Sequence, residues 1–331
     1  MSFTVRLASG EAFGAQAGET LLAAAARAGV GLPCDCRAGG CGTCRVQLLE
    51  GRVTYEEPPL ALSPEEMAAG FALACQGRAA SDVLLRVDSA VLAPPARLTA
   101  TVAAVAPLGP DVFRLRLRAE APLAYLPGQY VKLRLPGGAT RNFSMASAPD
   151  GGALEFHIRR IPGGRFTDGA LQALHPGEPV ELELPHGAFF LRESDARPLL
   201  MAATGTGLAP IRAIVEQLLG LPEHPPVALY WGGRTLPDLY LHEALLDWAR
   251  QHASFRYEPV LSRAPAGWRG RRGYVQQAAC EDFEDLSGHA VYLCGSPAMI
   301  ASARRAFVAR GACVEHIYAD SFVFQREEEL T

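Results

Sequence analysis

Four cysteines crowd into one short stretch, Pro33-Cys34-Asp35-Cys36-Arg37-Ala38-Gly39-Gly40-Cys41-Gly42-Thr43-Cys44, and another stands well apart at Cys75. Cys36, Cys41 and Cys44 give the spacing C-x4-C-x2-C, with Cys75 as a distant fourth thiol. Three close thiolates plus one remote one is the ligand spacing of a [2Fe–2S] cluster. Gly39, Gly40 and Gly42 give the loop the backbone freedom to bring three sulfurs together. Its N–H groups can then point at the cluster. A structural zinc site is the competing reading, but such sites usually come as two close cysteine pairs, and no second pair stands near Cys75. A disulfide knot does not suit a chain of this length that lacks a secretion signal. The run C-x-C-x4-C offers both Cys34 and Cys36 as first ligand. The x4 spacing selects Cys36 and leaves Cys34 as a buried neighbour.

At 331 residues the chain exceeds one ordinary core and predicts two or three domains. A formal charge of −4 leaves no basic footprint, so nucleic acid is not an expected partner. No apolar run approaches a membrane span, and Met1-Ser2-Phe3-Thr4-Val5-Arg6 lacks the apolar core of a signal peptide. A cytoplasmic monomer with no membrane partner is the expectation. Cys280 and Cys313 carry no motif and are expected to be small core residues.

Along the chain the hydrophobic period changes twice. In residues 1–93, Phe3 to Leu7 reads as a strand, Phe13 closes a hairpin, and Glu19 or Thr20 caps a helix ending at Gly29. A strand from Arg45 to Leu49, a short helix from Ser63-Pro64-Glu65-Glu66, the stretch Phe71 to Gly77 and a strand from Val83 to Val87 follow. Pro94-Pro95 marks a linker. Residues 97–195 then alternate strictly. Phe113, Leu115 and Leu117 interleave with arginines, Val131, Leu133 and Leu135 with cations, and Val180, Leu182 and Leu184 with glutamates, as half-buried antiparallel strands of a β-barrel do. Residues 196–331 alternate strands (Leu199–Ala202, Val227–Trp231, Phe255–Leu261, Val291–Cys294) with helices (Pro210–Leu219, Leu239–Arg250, Pro297–Arg310). That is the pattern of an α/β parallel sheet covered on both faces.

Three groups of residues in the second and third segments have chemistry to offer. Arg141-Asn142-Phe143-Ser144 follows a Gly137-Gly138 turn, and combines a cation for a diphosphate, an aromatic for a flat ring and a hydroxyl. Phe156-His157-Ile158-Arg159 and Gly163-Gly164-Arg165-Phe166-Thr167 follow, the latter with glycines and a hydroxyl suited to cradling a phosphate. Thr204-Gly205-Thr206-Gly207 lies between a strand and a helix, where glycines let a pyrophosphate approach the helix N-terminus. Each alone is a weak signal. Their order is what carries weight.

Residues 1–93 resemble the ferredoxin domain of aromatic-ring dioxygenase reductases, with Leu73-Ala74-Cys75-Gln76 at the fourth ligand. That resemblance implies an α+β β-grasp fold. The barrel motifs resemble the flavin site of the ferredoxin–NADP reductase superfamily. The resemblance implies that Arg141, Asn142, Phe143 and Ser144 hold the flavin, with Ser144 near its N5. His157, Ile158 and Arg159 would line the ring and ribityl chain, and Gly164, Phe166 and Thr167 would cover the pyrophosphate. The family usually has tyrosine where Phe143 stands, so one hydroxyl contact would be lost here. Thr204, Gly205, Thr206 and Gly207 resemble its nicotinamide loop, and Gly232-Gly233-Arg234 with Asp238-Leu239-Tyr240, and Cys294-Gly295-Ser296-Pro297, resemble further parts of its nicotinamide domain. By the same likeness Cys294 would sit against the nicotinamide, and Phe322 would cover the flavin face that the nicotinamide must reach.

The whole chain therefore resembles the reductase component of benzoate- or terephthalate-type dioxygenases. Ala61-Leu62-Ser63-Pro64-Glu65-Glu66 is part of that likeness. The resemblance implies FAD rather than FMN, a [2Fe–2S] cluster, and NADH, with NADPH possible through Arg234 and Arg263. It implies an oxygenase component or another terminal electron acceptor as partner. Reductases of diiron monooxygenases or of a deoxysugar dehydratase share the architecture and stand as the alternative. A redox sensor or carrier without nicotinamide turnover is disfavoured by the third segment's motifs.

Overall fold

The computed structural model describes residues 2–88, 95–134, 140–164, 166–193 and 195–322. Pro94, Leu135, Gly137, Gly138 and Arg165, which figure in the expectations above, lie outside them. The chain divides into two compact units. One is built mainly from residues up to 94, the other from residues 95–295 and 302–318.

The first unit is a mixed five-stranded sheet in the order Ala12–Gln16, Ser2–Leu7, Val83–Arg86, Arg45–Glu50, Phe71–Leu73. The first hairpin is antiparallel, while Ser2–Leu7 and Val83–Arg86 run parallel. Helix Leu21–Arg27 buries Leu21, Ala24 and Ala25 in the core beneath this sheet. Of the two candidate caps, Thr20 is the cap, its hydroxyl accepting from Ala23 N at 3.2 Å. Glu19 instead pairs with Arg27 at 2.8 Å. This is the β-grasp arrangement that the first segment implied.

The second unit contains two sheets. Six antiparallel strands run in the order Thr140–Ser144, Tyr130–Arg134, Pro179–His186, Ala96–Pro107, Val112–Arg118, Ala153–Arg159. The two edges meet, with Ala146 N donating to Glu155 O at 2.7 Å, so the barrel is nearly closed. Its inward residues, among them Val131, Leu133, Leu115, Leu117 and Leu182, are those of the predicted alternation.

The other sheet runs Arg271–Arg272, Phe255–Leu261, Val227–Gly233, Leu199–Thr204, Ala290–Gly295, Ile317–Ser321. Pairing is parallel from Arg271–Arg272 to Ala290–Gly295. The chain starts in the middle at Leu199–Thr204, winds outward to one edge, and returns to lay Ala290–Gly295 on the first strand's other side. The order reverses there, and the carboxyl ends of these two strands are where a sheet of this kind has its ligand crevice. Among the described residues no helix is long and apolar enough to cross a membrane.

Candidate functional site

In the cluster loop the backbone adopts left-handed angles at Gly39 (φ 69°), Gly42 (φ 81°) and, without the help of a missing Cβ, Arg37 (φ 56°). Gly39 has a second reason to be glycine. A Cβ there would lie 2.4 Å from Gln76 Oε1, the residue after the fourth cysteine. The stretch Phe71–Leu73 is tied to the loop's far end by Ala74 N donating to Cys44 O at 3.0 Å. Cys44 and Cys75 consequently stand with their sulfurs 3.1 Å apart.

The four thiols form two pairs. A hydrogen bond from Cys41, with backbone N–H groups of Ala38, Cys41 and Gly40, brings the Cys36 thiol down to about 5 against its burial. Cys41 moves the opposite way, through that same bond and its burial. Cys44 is likewise pushed up by its bond to Cys75 and by burial, while Cys75 is pulled down by Cys44 and helped by the N–H of Gly39. Cys36 is thus paired with Cys41 and Cys44 with Cys75, and iron would take all four as thiolates. Two sulfur pairs in an enclosed loop fit two iron ions, one per pair, as a [2Fe–2S] group requires. Cys34 belongs to neither pair. It is half-buried rather than buried, and the Arg37 side chain bonds to it.

On the barrel, the strand Thr140–Ser144 sets Arg141 opposite Leu133 and Phe143 opposite Val131. The Arg141 guanidinium donates to its neighbour's Thr140 O at 2.9 Å, and among the described residues no carboxylate pairs with it. Its charge is therefore available to a diphosphate. Phe143 is half-buried with its ring 5.4 Å from that of Phe166, and Ser144 is buried. Asn142 is exposed on the other face of the strand. In the glycine turn, a Cβ on Gly164 would lie 2.6 Å from Thr167 Oγ1, and that hydroxyl accepts from Ile161 N at 3.1 Å. Asp168 accepts from Gly163 N at 2.8 Å.

The strand Ala153–Arg159 carries the rest. Ile158 is part of the barrel core, while His157 is buried with Nε2 3.0 Å from Glu155 and Nδ1 3.2 Å from Tyr240 Oη. Glu155 was not anticipated, and it is the centre of the arrangement. Burial pushes its carboxyl up, but bonds from His157 and Arg116, with Arg212 close by, bring it down to about 2. Burial keeps His157 below the usual imidazole value, so at neutral pH it is uncharged. Arg212, on helix Leu208–Leu219, donates to Ala146 O and reaches Glu155 Oε1 at 3.8 Å. Arg159 pairs with Asp111 at 3.1 Å and faces Asp238 at 3.8 Å.

These contacts lead directly to the crevice of the parallel sheet. Tyr240, which meets His157, lies edge-on to Trp231 with ring centroids 5.1 Å apart. Trp231 Nε1 donates to Gly205 O at 3.0 Å. Gly205 is left-handed (φ 54°), and the Arg159 guanidinium lies over it, 3.6 Å from where its Cβ would stand. A Cβ on Gly207 would meet Cys294 O at 2.3 Å, so this glycine is required by the approach of the neighbouring strand end. Thr204 and Thr206 flank Gly205, with Thr204 paired in register to Gly232. Helix Leu208–Leu219 runs on from the tight turn Gly205–Gly207, where Leu208 N donates to Gly205 O, and neither carries a side-chain cap, so the N–H groups open to an anion are those at the start of the turn.

Cys294 is fully buried at the end of its strand, followed by Gly295 and by exposed Ser296 and Pro297. Arg234 is exposed and its carbonyl accepts from Arg263 N at 2.8 Å. Phe322 follows the last strand and is half-buried. Glu155, Trp231 and Arg212 were missed as site residues. The one sign in the sequence was a charged residue, Glu155, inside the strand Ala153–Arg159 whose neighbours are all apolar or functional.

A cysteine-rich β-grasp domain, a barrel with a cationic diphosphate strand and a parallel sheet with a glycine crevice define an iron–sulfur flavoprotein reductase fed by a nicotinamide. Residues 6–80 match the 2Fe-2S iron-sulfur cluster binding domain, 100–191 the oxidoreductase FAD-binding domain, and 201–305 the oxidoreductase NAD-binding domain. The chain is 40% identical over 333 residues to the reductase subunit of an aromatic O-demethylase from Amycolatopsis sp., covering 97% of this chain and 99% of that one. It is 36% identical over 320 residues to reductase component 1 of terephthalate 1,2-dioxygenase from Comamonas sp., covering 94% of each. The crystal structure of an Amycolatopsis cytochrome P-450 reductase superposes with a TM-score of 0.72 at 39% identity, covering 97% of this chain and 98% of that one. The chain belongs to this family of NADH-dependent oxidoreductases, with one domain each for a [2Fe–2S] cluster, FAD and NAD.

Proposed function

We propose that this chain is the reductase of an oxygenase system acting on aromatic compounds, taking electrons from NADH and handing them singly to the oxygenase. The observation that carries this reading is the 40% identity to an aromatic O-demethylase reductase subunit along 97% of the chain, with all three modules in the same order. When bound, FAD takes two electrons as hydride and releases them one at a time to the cluster. The chain's own work is to position these groups. In this reading three domains divide it, residues 1–93, 97–195 and 196–331.

Cys36, Cys41, Cys44 and Cys75 ligate the cluster. Arg141 neutralises the flavin diphosphate, while Phe143 and Phe166 offer aromatic surface and Ser144 a buried hydroxyl. Gly164 and Thr167 close the turn beside them. Gly205 and Gly207 let the nicotinamide's pyrophosphate approach the uncapped helix, with Thr204, Thr206, Gly232 and Gly295 lining the crevice. Cys294 presents a buried thiol, and Phe322 serves as the aromatic cover. Neutral His157 and ionised Glu155 hold the barrel and the crevice in register.

The oxygenase is built either on haem or on a ring-dioxygenase iron centre. The haem reading is favoured by the likeness to a cytochrome P-450 reductase at 39% identity. Purified protein supplied with NADH should support O-demethylation or ring dihydroxylation when mixed with an aromatic oxygenase component from the same organism. Oxygenase turnover that proceeds equally without this protein would refute the reading.

A further inference from the structure

Leu60 is 88% exposed, far more than the other exposed leucines among the described residues, Leu236 at 41%, Leu221 at 37% and Leu49 at 36%. Single exposed leucines are ordinary on protein surfaces, so exposure alone decides nothing. Its position does. The next residue donates Ala61 N to Gly39 O at 2.9 Å, and Ala61 Cβ stands 3.8 Å from where a Cβ on Gly42 would be. Leu62 is buried in the core that includes Cys44 and Cys75, and Pro59 is buried on the other side. The segment is therefore seated on the loop that carries three of the sulfurs, with Leu60 alone turned outward. Pro58 and Pro59 stiffen the approach, so little entropy remains to be lost when Leu60 is covered.

The rim is charged, and mostly of one sign. Glu56, Glu57 and Glu65 are exposed within five residues of Leu60, Glu56 reaching Arg78 at 2.9 Å, with Arg37 the exposed cation of the cluster loop. Electron transfer weakens steeply with distance, so an acceptor must dock where the sulfurs approach the surface. Exposed Arg37 and Ala38 mark that place, with Ala38 N 3.4 Å from Cys36 Sγ.

We propose that Leu60 is the apolar anchor, and Glu56, Glu57 and Glu65 the acidic rim, of the surface on which a one-electron acceptor protein docks. The partner it fits has an apolar socket ringed by basic residues, beside its own redox centre. This rests on the reading of the chain as a reductase.

The test uses the flavin- and cluster-loaded protein, with NADH as donor and two probes. Mammalian cytochrome c is a basic protein acceptor, and ferricyanide is a small one that needs no docking surface. Leu60→Ala and Leu60→Ser should each lower kcat/KM for cytochrome c about tenfold, mainly through KM, the size expected of an interface anchor. Ferricyanide reduction, cluster content and the rate at which NADH reduces the cluster without an acceptor should not change. Glu56→Gln with Glu57→Gln should flatten the salt dependence of the cytochrome c reaction.

Unchanged cytochrome c kinetics in both Leu60 variants would overturn the proposal. So would cluster loss in both, which would make Leu60 a shield, or slowed cluster reduction without acceptor, which would make it part of the internal route. A wild-type protein that reduces neither probe from NADH would instead refute the functional reading.

Discussion

Three of the four paired thiols come from one loop, whereas the residues that meet around His157 come from four separate stretches of chain. In the loop, glycine angles and the C-x4-C-x2-C spacing do the positioning, and one tie from Ala74 to Cys44 brings in the fourth thiol. In the larger unit Glu155, Arg212, Trp231 and Tyr240 are brought together by barrel closure and by the winding order of the parallel sheet. The first site is local and separable. The second is a property of the tertiary fold, so damage to one member should spread to the others.

The strongest way to break this contrast is Cys36→Ser. The cluster should be lost outright, with the loss of its visible absorbance, while NADH still reduces the flavin at the wild-type rate. Cys34→Ser should keep the cluster, because Cys34 is outside both sulfur pairs. Iron that survives Cys36→Ser and disappears in Cys34→Ser would reverse the ligand assignment.

Glu155→Gln should give the next largest effect, and a distributed one. The amide keeps the shape but leaves Arg212 and the half-exposed Arg116 facing a neutral group, a loss of about 1–2 kcal/mol. Thermal unfolding of the larger unit should drop while cluster absorbance keeps its own midpoint. The pH dependence follows from the same groups. Glu155 titrates lower in the folded protein than its ordinary value of 4.5, and His157 lower than 6.5. Both therefore bind fewer protons folded than unfolded, so their stabilisation is present at neutral pH. It should begin to fade below about pH 6.5 through His157, and continue to fade down to about pH 2 through Glu155. A Glu155→Gln protein should lose the lower part of that acid response. An unaltered acid profile would show that the network does not hold the unit together.

Arg141→Ala is the counterpart on the flavin side. One charge-assisted bond to a diphosphate is worth about 1.5–3 kcal/mol, or about ten- to a hundredfold in FAD affinity. Full flavin retention through gel filtration would count against Arg141 as the diphosphate partner.

The same contrast explains what could be read from the sequence. Cysteine spacing, strand alternation and the glycine turns are local signals, and they located the cluster loop, the barrel strands and the crevice. Boundaries moved where tertiary pairing overrode propensity. The strand expected to end at Trp231 continues through Gly232 and Gly233 because Phe255–Leu261 runs beside it to the same length. The helix expected from Leu239 starts at His242, since Asp238 first closes a turn onto the N–H groups of Arg234 and Thr235. Helix Val275–Asp282 was missed altogether. It is short, and Tyr274 stands where a Ser, Thr or Asp cap would have announced it. Cys280 and Cys313 are half-buried rather than core residues. Arg212, which reaches Glu155 from another element, carries no local signal, because nothing in its own neighbourhood records the closure that joins them.

The smallest effect concerns which nicotinamide is used. An adenosine 2′-phosphate needs cations at the rim of the crevice, and Arg234 and Arg263 are neighbours there, joined through a 2.8 Å backbone bond. Arg272 is committed elsewhere, its guanidinium donating to the carbonyls of Ala264, Pro265, Ala266 and Trp268. Both candidate arginines are exposed, so water and salt screen what they can contribute. Exposed charges of this kind discriminate only modestly, and NADH should remain the better donor. Arg263→Ala should lower kcat/KM for NADPH about three- to tenfold and leave NADH nearly unchanged. Steady-state cytochrome c reduction at low and high salt measures both. A wild-type preference for NADPH would overturn the assignment, and its persistence at high salt would mean that a buried cation, not this exposed pair, reads the phosphate.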